Sequence, residues 1–298
     1  MSFSSDTKTE LCLSRLDRRS LAVAESYGVL LYCNTFRSSE IRIITASAPF
    51  AERLPRLFRK AFSLNFDQLP PEDAQGKRSF CIREPEKIAR ILESFGADAS
   101  GPISHHINLG ILEEPGCPEA FVKGAFLAGG SVTDPEKRFH LELATSHRSV
   151  SPELRSILLE MDLDPKEADR GAHSLLYFKK ADQISDFLAR IGAHVAAMNI
   201  LTAKVDKEMR NTVTRQINCD SANADKTVSA AMRQNDAIRR LVRRDGLDAL
   251  SEPLRDAALL RLANPEASLA DLALLSNPPV TKSCLSHRLN KIILLAGE

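Results

Sequence analysis

Between Val280 and Gly297 the chain has no Asp or Glu, yet it carries Lys282, Ser283, Ser286, His287, Arg288, Asn290 and Lys291. Amide, hydroxyl and imidazole groups interleaved with cations match the donors and acceptors of base edges, while the cations neutralise phosphate. Leu285, Leu289, Ile292 and Ala296 recur at helical spacing, which sends the polar groups to the opposite face. Thr281 stands where an N-cap belongs, with Val280 and Leu285 placed for a hydrophobic staple. A surface helix of this length ordinarily carries some acid, whereas an acid-free one suits the major groove of duplex DNA. His287 has no carboxylate in its local sequence, which favours a phosphate or base contact over a catalytic role. Thr281, Lys282, Ser283, Ser286, His287, Arg288, Asn290 and Lys291 are therefore the candidate recognition residues.

The elements that must position this helix are legible just upstream. One helix is predicted over Glu252–Ala263, ending at Asn264-Pro265. A short second helix starts with Ser268 as N-cap and Asp271 at the capping-box position, and turns Leu269, Leu272 and Leu275 to a core. Ser276-Asn277-Pro278-Pro279 ends it, because neither proline can continue a helix. Helix, tight turn and polar helix form the sequence pattern of a helix-turn-helix. Ahead of it, residues 204–244 hold 10 basic and 5 acidic side chains, an excess of five. Residues 1–203 hold 25 against 27, a balance of −2. The basic stretch has Asn among its cations, and Arg210, Asn211, Arg215, Asn218, Asn223 and Lys226 are candidates for backbone contacts. Two helical pieces are expected there, broken around Cys219–Ala222.

The first two hundred residues contain a duplication. Gly28 pairs with Gly124, Leu31 with Leu127, and Phe95-Gly96-Ala97 with Ile191-Gly192-Ala193, all at an offset of 96. The middle of each copy needs small compensating insertions. Each copy reads as an apolar helix (Leu21–Asn34, Pro118–Gly130), an alternating strand (Ile41–Ile44, Phe139–Leu143) and an amphipathic helix (Phe50–Phe62, Pro152–Met161). A second strand (Ser79–Arg83, Ser174–Lys179) and a closing helix (Pro85–Phe95, Ala181–Ile191) follow.

Small residues end the first helix of the second copy, Gly124-Ala125-Phe126-Leu127-Ala128-Gly129-Gly130-Ser131-Val132, and permit close approach of two helix backbones. This string resembles the signature helix of LAGLIDADG homing endonucleases, whose fold is a pseudo-dimer of α-β-β-α-β-β-α units. The resemblance implies one metal-binding acid at the foot of each signature helix. Here the two positions hold Cys33 and Gly129, neither of which can act as a hard-metal carboxylate ligand. No catalytic residue, metal or cofactor is expected, and cleavage would require carboxylates from elsewhere, such as Asp134 or Glu142.

The 298 residues are 43% hydrophobic and 27% charged, as in ordinary globular chains, and suggest two domains. No apolar run approaches the ~18 residues a membrane span needs. Met1–Asp6 lacks a basic stretch followed by an apolar core, so a helix capped by Ser4 or Ser5 is expected there in place of a secretory signal. The six cysteines, Cys12, Cys33, Cys81, Cys117, Cys219 and Cys284, show no metal-ligand spacing and point to reduced thiols in a cytoplasm.

Four strings together resemble the WhiA family. They are Ser2-Phe3-Ser4-Ser5 with Lys8 and Glu10-Leu11; Gly124–Ser131; Arg210-Asn211 through Asn223 and Lys226; and Asn277–Leu289. Cys284 and Leu285 stand where the family is expected to have smaller residues. The resemblance implies a degenerate homing-endonuclease domain, a linker and a helix-turn-helix similar to region four of sigma factors. It also implies roles in sporulation-linked transcription, cell division or chromosome segregation. The expected fold is an α/β pseudo-twofold domain over 1–197 (copies about 1–100 and 101–197), a basic helical linker over 198–245 and an all-α helix-turn-helix domain over 246–298. Double-stranded DNA is the expected partner and the nucleoid the expected location, with no membrane. Another transcription regulator or RNA polymerase is a further candidate partner, and two alternatives stand beside this reading: a protein-interaction scaffold for division or transcription partners, and a residual metal-dependent endonuclease.

Overall fold

The computed structural model describes residues 2–71, 76–97 and 105–297, which divide after Lys207 into two compact units. In the first unit, α1 (Phe3–Cys12) is capped by Ser2, whose Oγ accepts from the Ser5 amide at 3.2 Å. The cap thus lies two or three residues ahead of the expected Ser4 or Ser5. The first copy continues as α2 (Arg19–Leu31), β1 (Thr35–Arg37), β2 (Glu40–Thr45), α3 (Ala48–Phe62), β3 (Arg78–Ile82) and α4 (Pro85–Ser94). The second runs α5 (Cys117–Gly129), β4 (Gly130–Val132), β5 (Leu141–Thr145), α6 (Val150–Glu160), β6 (Lys166–Arg170), β7 (His173–Phe178) and α7 (Ala181–Arg190).

The two sheets are antiparallel, ordered β1-β2-β3 and β4-β5-β7-β6. Their registers repeat each other: Ile41 pairs with Ile82 and Ile43 with Phe80, as Leu141 pairs with Phe178 and Leu143 with Leu176. These alternating residues are buried, so the period-two pattern places one face of each sheet under the helices. The offset between copies is 96 at α2 and α5, 100 at β2 and β5, and 96 again at β3 and β7. The longer β4–β5 connection accounts for the compensating insertion. The second copy completes the α-β-β-α-β-β-α order. In the first, a single bridge between Gln68 and Cys81 stands in for the third strand among the described residues. The strand expected at Phe139–Leu143 lies two residues later, because Phe139 and His140 finish the longer turn.

At the centre α2 lies on α5. A Cβ on Gly28 would stand 2.0 Å from the Phe121 carbonyl oxygen, and one on Gly124 would stand 2.0 Å from that of Glu25. Beside this contact the buried Glu25 carboxylate receives Arg53 of α3 at 2.5 and 2.9 Å and Lys123 of α5 at 2.8 Å. Arg53 also donates to the carbonyls of Cys12 and Ser14, so the charges sit in a fully bonded network.

Residues His194–Asp245 form one helix, α8, without the break expected at Cys219–Ala222. The stretch from Met198 to Leu241 has no Gly or Pro, and the low helix propensity of Ser, Asn and Asp is worth only a few tenths of a kcal/mol per residue. In the second unit the end of α8 packs with α9 (Glu252–Ala263), α10 (Leu269–Leu275) and α11 (Lys282–Leu295) around Ile238, Leu241, Leu254, Leu272, Leu285 and Ile292. No helix of the described residues is long and apolar enough to cross a membrane.

Candidate nucleic-acid interface

The third helix of the C-terminal unit starts where its cap dictates. Thr281 Oγ1 accepts from the Cys284 amide at 3.2 Å, and Leu285, Leu289, Ile292 and Ile293 are buried below. Ser268 Oγ caps α10 by accepting from the Asp271 amide at 3.2 Å. The Asp271 carboxylate takes the Ser268 hydroxyl at 2.7 Å, so the reciprocal half of the motif runs through side chains. Between the helices, Ser276 Oγ donates to the Pro278 carbonyl and the Val280 amide to that of Ala273, which closes the turn.

With the apolar face fixed, the opposite face of α11 is determined. Lys282, Ser283, His287, Asn290 and Lys291 are exposed, while Ser286 and Arg288 are half-buried. None of Lys282, His287, Arg288, Asn290 and Lys291 has a partner among the described residues, so their donors and acceptors are available to a ligand. Thr281 differs from the rest: its oxygen is engaged by the cap and only its hydroxyl proton is left to give. The structure brings all eight candidate recognition residues onto one short segment.

The candidate linker residues all lie on α8 and are all exposed. At the α-helical period Asn211, Arg215, Asn218, Asn223 and Lys226 fall within an arc of about 140°. Arg210 lies outside that arc and has an interaction of its own. The unbroken helix is what aligns the other five, since a break at Cys219–Ala222 would have rotated Asn223 and Lys226 away.

Three residues that position this unit escaped the sequence reading. Arg261, buried, donates through Nη1 to the carbonyls of Ala267 at 2.6 Å and Asn264 at 3.4 Å, and so ties the α9–α10 turn to α9. Arg244 donates to the Leu295 carbonyl at 2.9 Å, satisfying the last turn of α11. Asn235 donates to the Pro265 carbonyl at 3.2 Å. Asn235 and Arg244 look like members of the basic, polar run and Arg261 like a lone cation among leucines, and only their fold partners mark them out.

In the N-terminal unit the ends of α2 and α5 meet a shallow cleft lined by Tyr32, Cys33, Ala128, Gly129, Arg170 and His173. The structure therefore brings together the two positions where the homing-endonuclease pattern has acids. Cys33 is buried, its thiol donates to the Thr35 carbonyl at 3.2 Å, and burial pushes its pKa up to about 12, so it stays a neutral thiol. A Cβ on Gly129 would stand 2.4 Å from the Ala144 carbonyl oxygen and 2.9 Å from the Tyr32 ring, which leaves no room for a carboxylate. The helix-end carbonyls are satisfied by other means: Lys8 Nζ donates to Leu127 at 3.0 Å and Thr145 Oγ1 to Leu31 at 2.9 Å. These two acceptors are equivalent under the 96-residue offset. Of the substitute acids, Asp134 caps its own turn through the Glu136 amide. Glu142 is held by Arg170 at 2.6 Å and His140 at 3.3 Å, and its pKa is lowered against the effect of burial by its bonds to His140 and Arg170. The described residues contain no group of three His, Cys, Asp or Glu able to hold a metal ion.

Comparison with known proteins agrees with this geometry. Residues 118–210 match the WhiA LAGLIDADG-like domain and residues 213–296 the WhiA C-terminal HTH domain. A relative from Alkaliphilus metalliredigens, "Probable cell division protein WhiA", is 33% identical over 311 residues, covering 100% of this chain and 98% of its own. One of the same name from Staphylococcus carnosus is 33% identical over 307 residues, covering 100% and 97%. The crystal structure of full-length DUF199/WhiA from Thermatoga maritima superposes with a TM-score of 0.59 at 25% identity, covering 99% of this chain and 98% of that one.

Proposed function

The chain belongs to the WhiA family, and from that premise we propose that it is a sequence-specific double-stranded-DNA-binding regulator of transcription, acting in cell division, chromosome segregation or sporulation, that performs no phosphodiester chemistry. The observation that carries the reading is α11: an acid-free helix whose Lys282, His287, Arg288, Asn290 and Lys291 have no partner among the described residues and stand above a fixed apolar face. Asn can read an adenine edge by paired hydrogen bonds and His can add a single one, while the lysines hold phosphate. The exposed arc of α8 from Asn211 to Lys226 adds backbone contacts. A place on the nucleoid follows from such binding.

The absence of catalysis rests on the foot of the two central helices. Metal-dependent cleavage needs carboxylates there, and the positions are filled by a buried neutral thiol and by a glycine with no space for a side chain. Glu142 is occupied by Arg170 and His140.

Fluorescence anisotropy of the full chain on genomic fragments at two salt concentrations tests the proposal. Selected fragments should bind far more tightly than bulk DNA, and affinity should fall steeply with salt. Equal affinity for every fragment would sink sequence-specific reading. Supercoiled plasmid incubated with the protein and Mg²⁺ should remain intact, and nicking lost on Glu142→Gln would revive the endonuclease.

A further inference from the structure

At the opposite end of α2 from the Cys33–Gly129 cleft, the α1–α2 loop and α3 enclose a second cleft of about 690 Å³. Helix α2 has thirteen residues, so the two lie about 20 Å apart along it. Arg15 enters from the loop and Arg56, Arg59 and Lys60 from the exposed face of α3, with Arg53 at the base. The one acid in the lining is Asp17.

The charges are not balanced by the fold. Arg53 is neutralised by Glu25 and locked by four hydrogen bonds, and Arg59 donates to Asn65 at 3.1 and 3.3 Å. Arg15, Arg56 and Lys60 have no partner among the described residues. Convergent cations set against the single carboxylate of Asp17 leave the cleft net positive, which raises the local concentration of anions. Leu13, 80% exposed, and Leu16 add an apolar wall to the same cleft.

The duplication supplies an internal control. Phe50, Leu54, Leu57 and Phe58 of α3 correspond to Val150, Leu154, Ile157 and Leu158 of α6 at a constant offset of 100, and all eight are buried. The counterpart of Arg53 is Glu153, which anchors the loop ahead of α5 through the Ile107 amide at 2.7 Å and His106 at 2.5 Å. That position is structural in both copies. Arg56, Arg59 and Lys60, however, correspond to Ser156, Leu159 and Glu160. The same helix in the same fold does without them, so packing does not require these cations.

We propose that this cleft binds a phosphorylated small molecule of nucleotide size, its phosphates held by Arg15, Arg56 and Lys60 and its body laid against Leu13 and Leu16. The volume lies within the range of ordinary ligand sites, and guanidinium and ammonium groups together are the usual partners of phosphate.

The test is isothermal titration of the full chain with ATP and with inorganic pyrophosphate at physiological ionic strength. Each should saturate one site per chain, and the double variant R56E/K60E should bind at least about tenfold more weakly. Both side chains are exposed, so the variant should keep the wild-type melting temperature, and R56K/K60R should bind like the wild type. Identical titrations of wild type and R56E/K60E would overturn the proposal. Displacement of pyrophosphate by duplex DNA, with R56E/K60E losing DNA affinity to the same degree, would assign the cleft to the DNA backbone and overturn it as well.

Discussion

Gly28 and Gly124 face each other's helix across the α2–α5 contact, each where a Cβ would stand 2.0 Å from a backbone carbonyl oxygen of the partner helix. The reciprocity is that of a twofold axis: Gly28 meets Phe121 and Ala125, and Gly124 meets Glu25 and Val29. Both positions are mid-helical, where Gly→Ala ordinarily stabilises by up to about 1 kcal/mol. Here the sign reverses. Gly28→Ala and Gly124→Ala should each destabilise by about 3 kcal/mol, the upper end of overpacking, because the obstacle is backbone. Urea denaturation checks it, and a neutral or stabilising Gly28→Ala would mean that the helices are further apart than described.

Arg53 and Glu25 are both about 1% exposed, so removing Arg53 leaves a buried carboxylate with Lys123 as its one remaining cation. Arg53→Met should cost about 3–5 kcal/mol. Part of the loss comes from freeing the Cys12 and Ser14 carbonyls, and hydrogen exchange should quicken in residues 12–16. A cost below about 1 kcal/mol would show the network to be solvated.

On the selected fragment, Asn290→Ala and His287→Ala should each weaken binding by about 1–3 kcal/mol and relax preference at one or two base pairs. Lys291→Ala and Arg215→Ala should weaken all sequences alike and reduce the salt slope by about one. Anisotropy at several salt concentrations separates the classes. If Asn290→Ala behaves like Lys291→Ala, the face of α11 that enters the groove has been misassigned.

Restoring acids should not restore nuclease chemistry. Cys33→Asp combined with Gly129→Asp should lower the melting temperature, since any Cβ at 129 strikes Ala144 and Tyr32. With Mg²⁺ the variant should leave supercoiled plasmid intact, and Mg²⁺-dependent nicking by a folded double variant would contradict this.

Lys8 gives the N-terminal unit a pH signature. Burial lowers its pKa to about 8 from an ordinary value of 10.5. The folded value lies below the unfolded one, so the unfolded chain holds more protons between them, and stability rises with pH from about 8 to 10.5. Cys12, pushed up to about 12 by burial, opposes this above its ordinary thiol range, and because Lys8 and Cys12 act on each other the comparison is read below that range. The stability of wild type relative to Lys8→Met should therefore climb in the lower part of that window. Parallel curves would show that the ammonium is solvated.

The C-terminal unit was largely readable in the sequence, because its determinants are local. Ser268 and Thr281 cap helices that begin at the next residue, Pro278 and Pro279 forbid continuation, and the leucine spacing of α11 assigns its faces. The duplication was readable too, since two copies of one unit preserve spacing. The expected break in α8 failed because polar residues weaken a helix without terminating it, and nothing there removes a backbone donor or demands a positive φ. What only the tertiary structure decided are the pairings between distant residues: Lys8 with Leu127 at a separation of 119, Thr145 with Leu31 at 114, Arg53 with Glu25 at 28. The same holds for the cluster of Arg15 with Arg56 and Lys60, unpaired among the described residues. Helix and strand periods say which face a side chain occupies, but they carry no information on which other face it meets. That is fixed where the two copies close on Gly28 and Gly124, which brings Tyr32 of the first copy against Gly129, while Ala144 of β5 in the second copy takes the rest of the room for a carboxylate there.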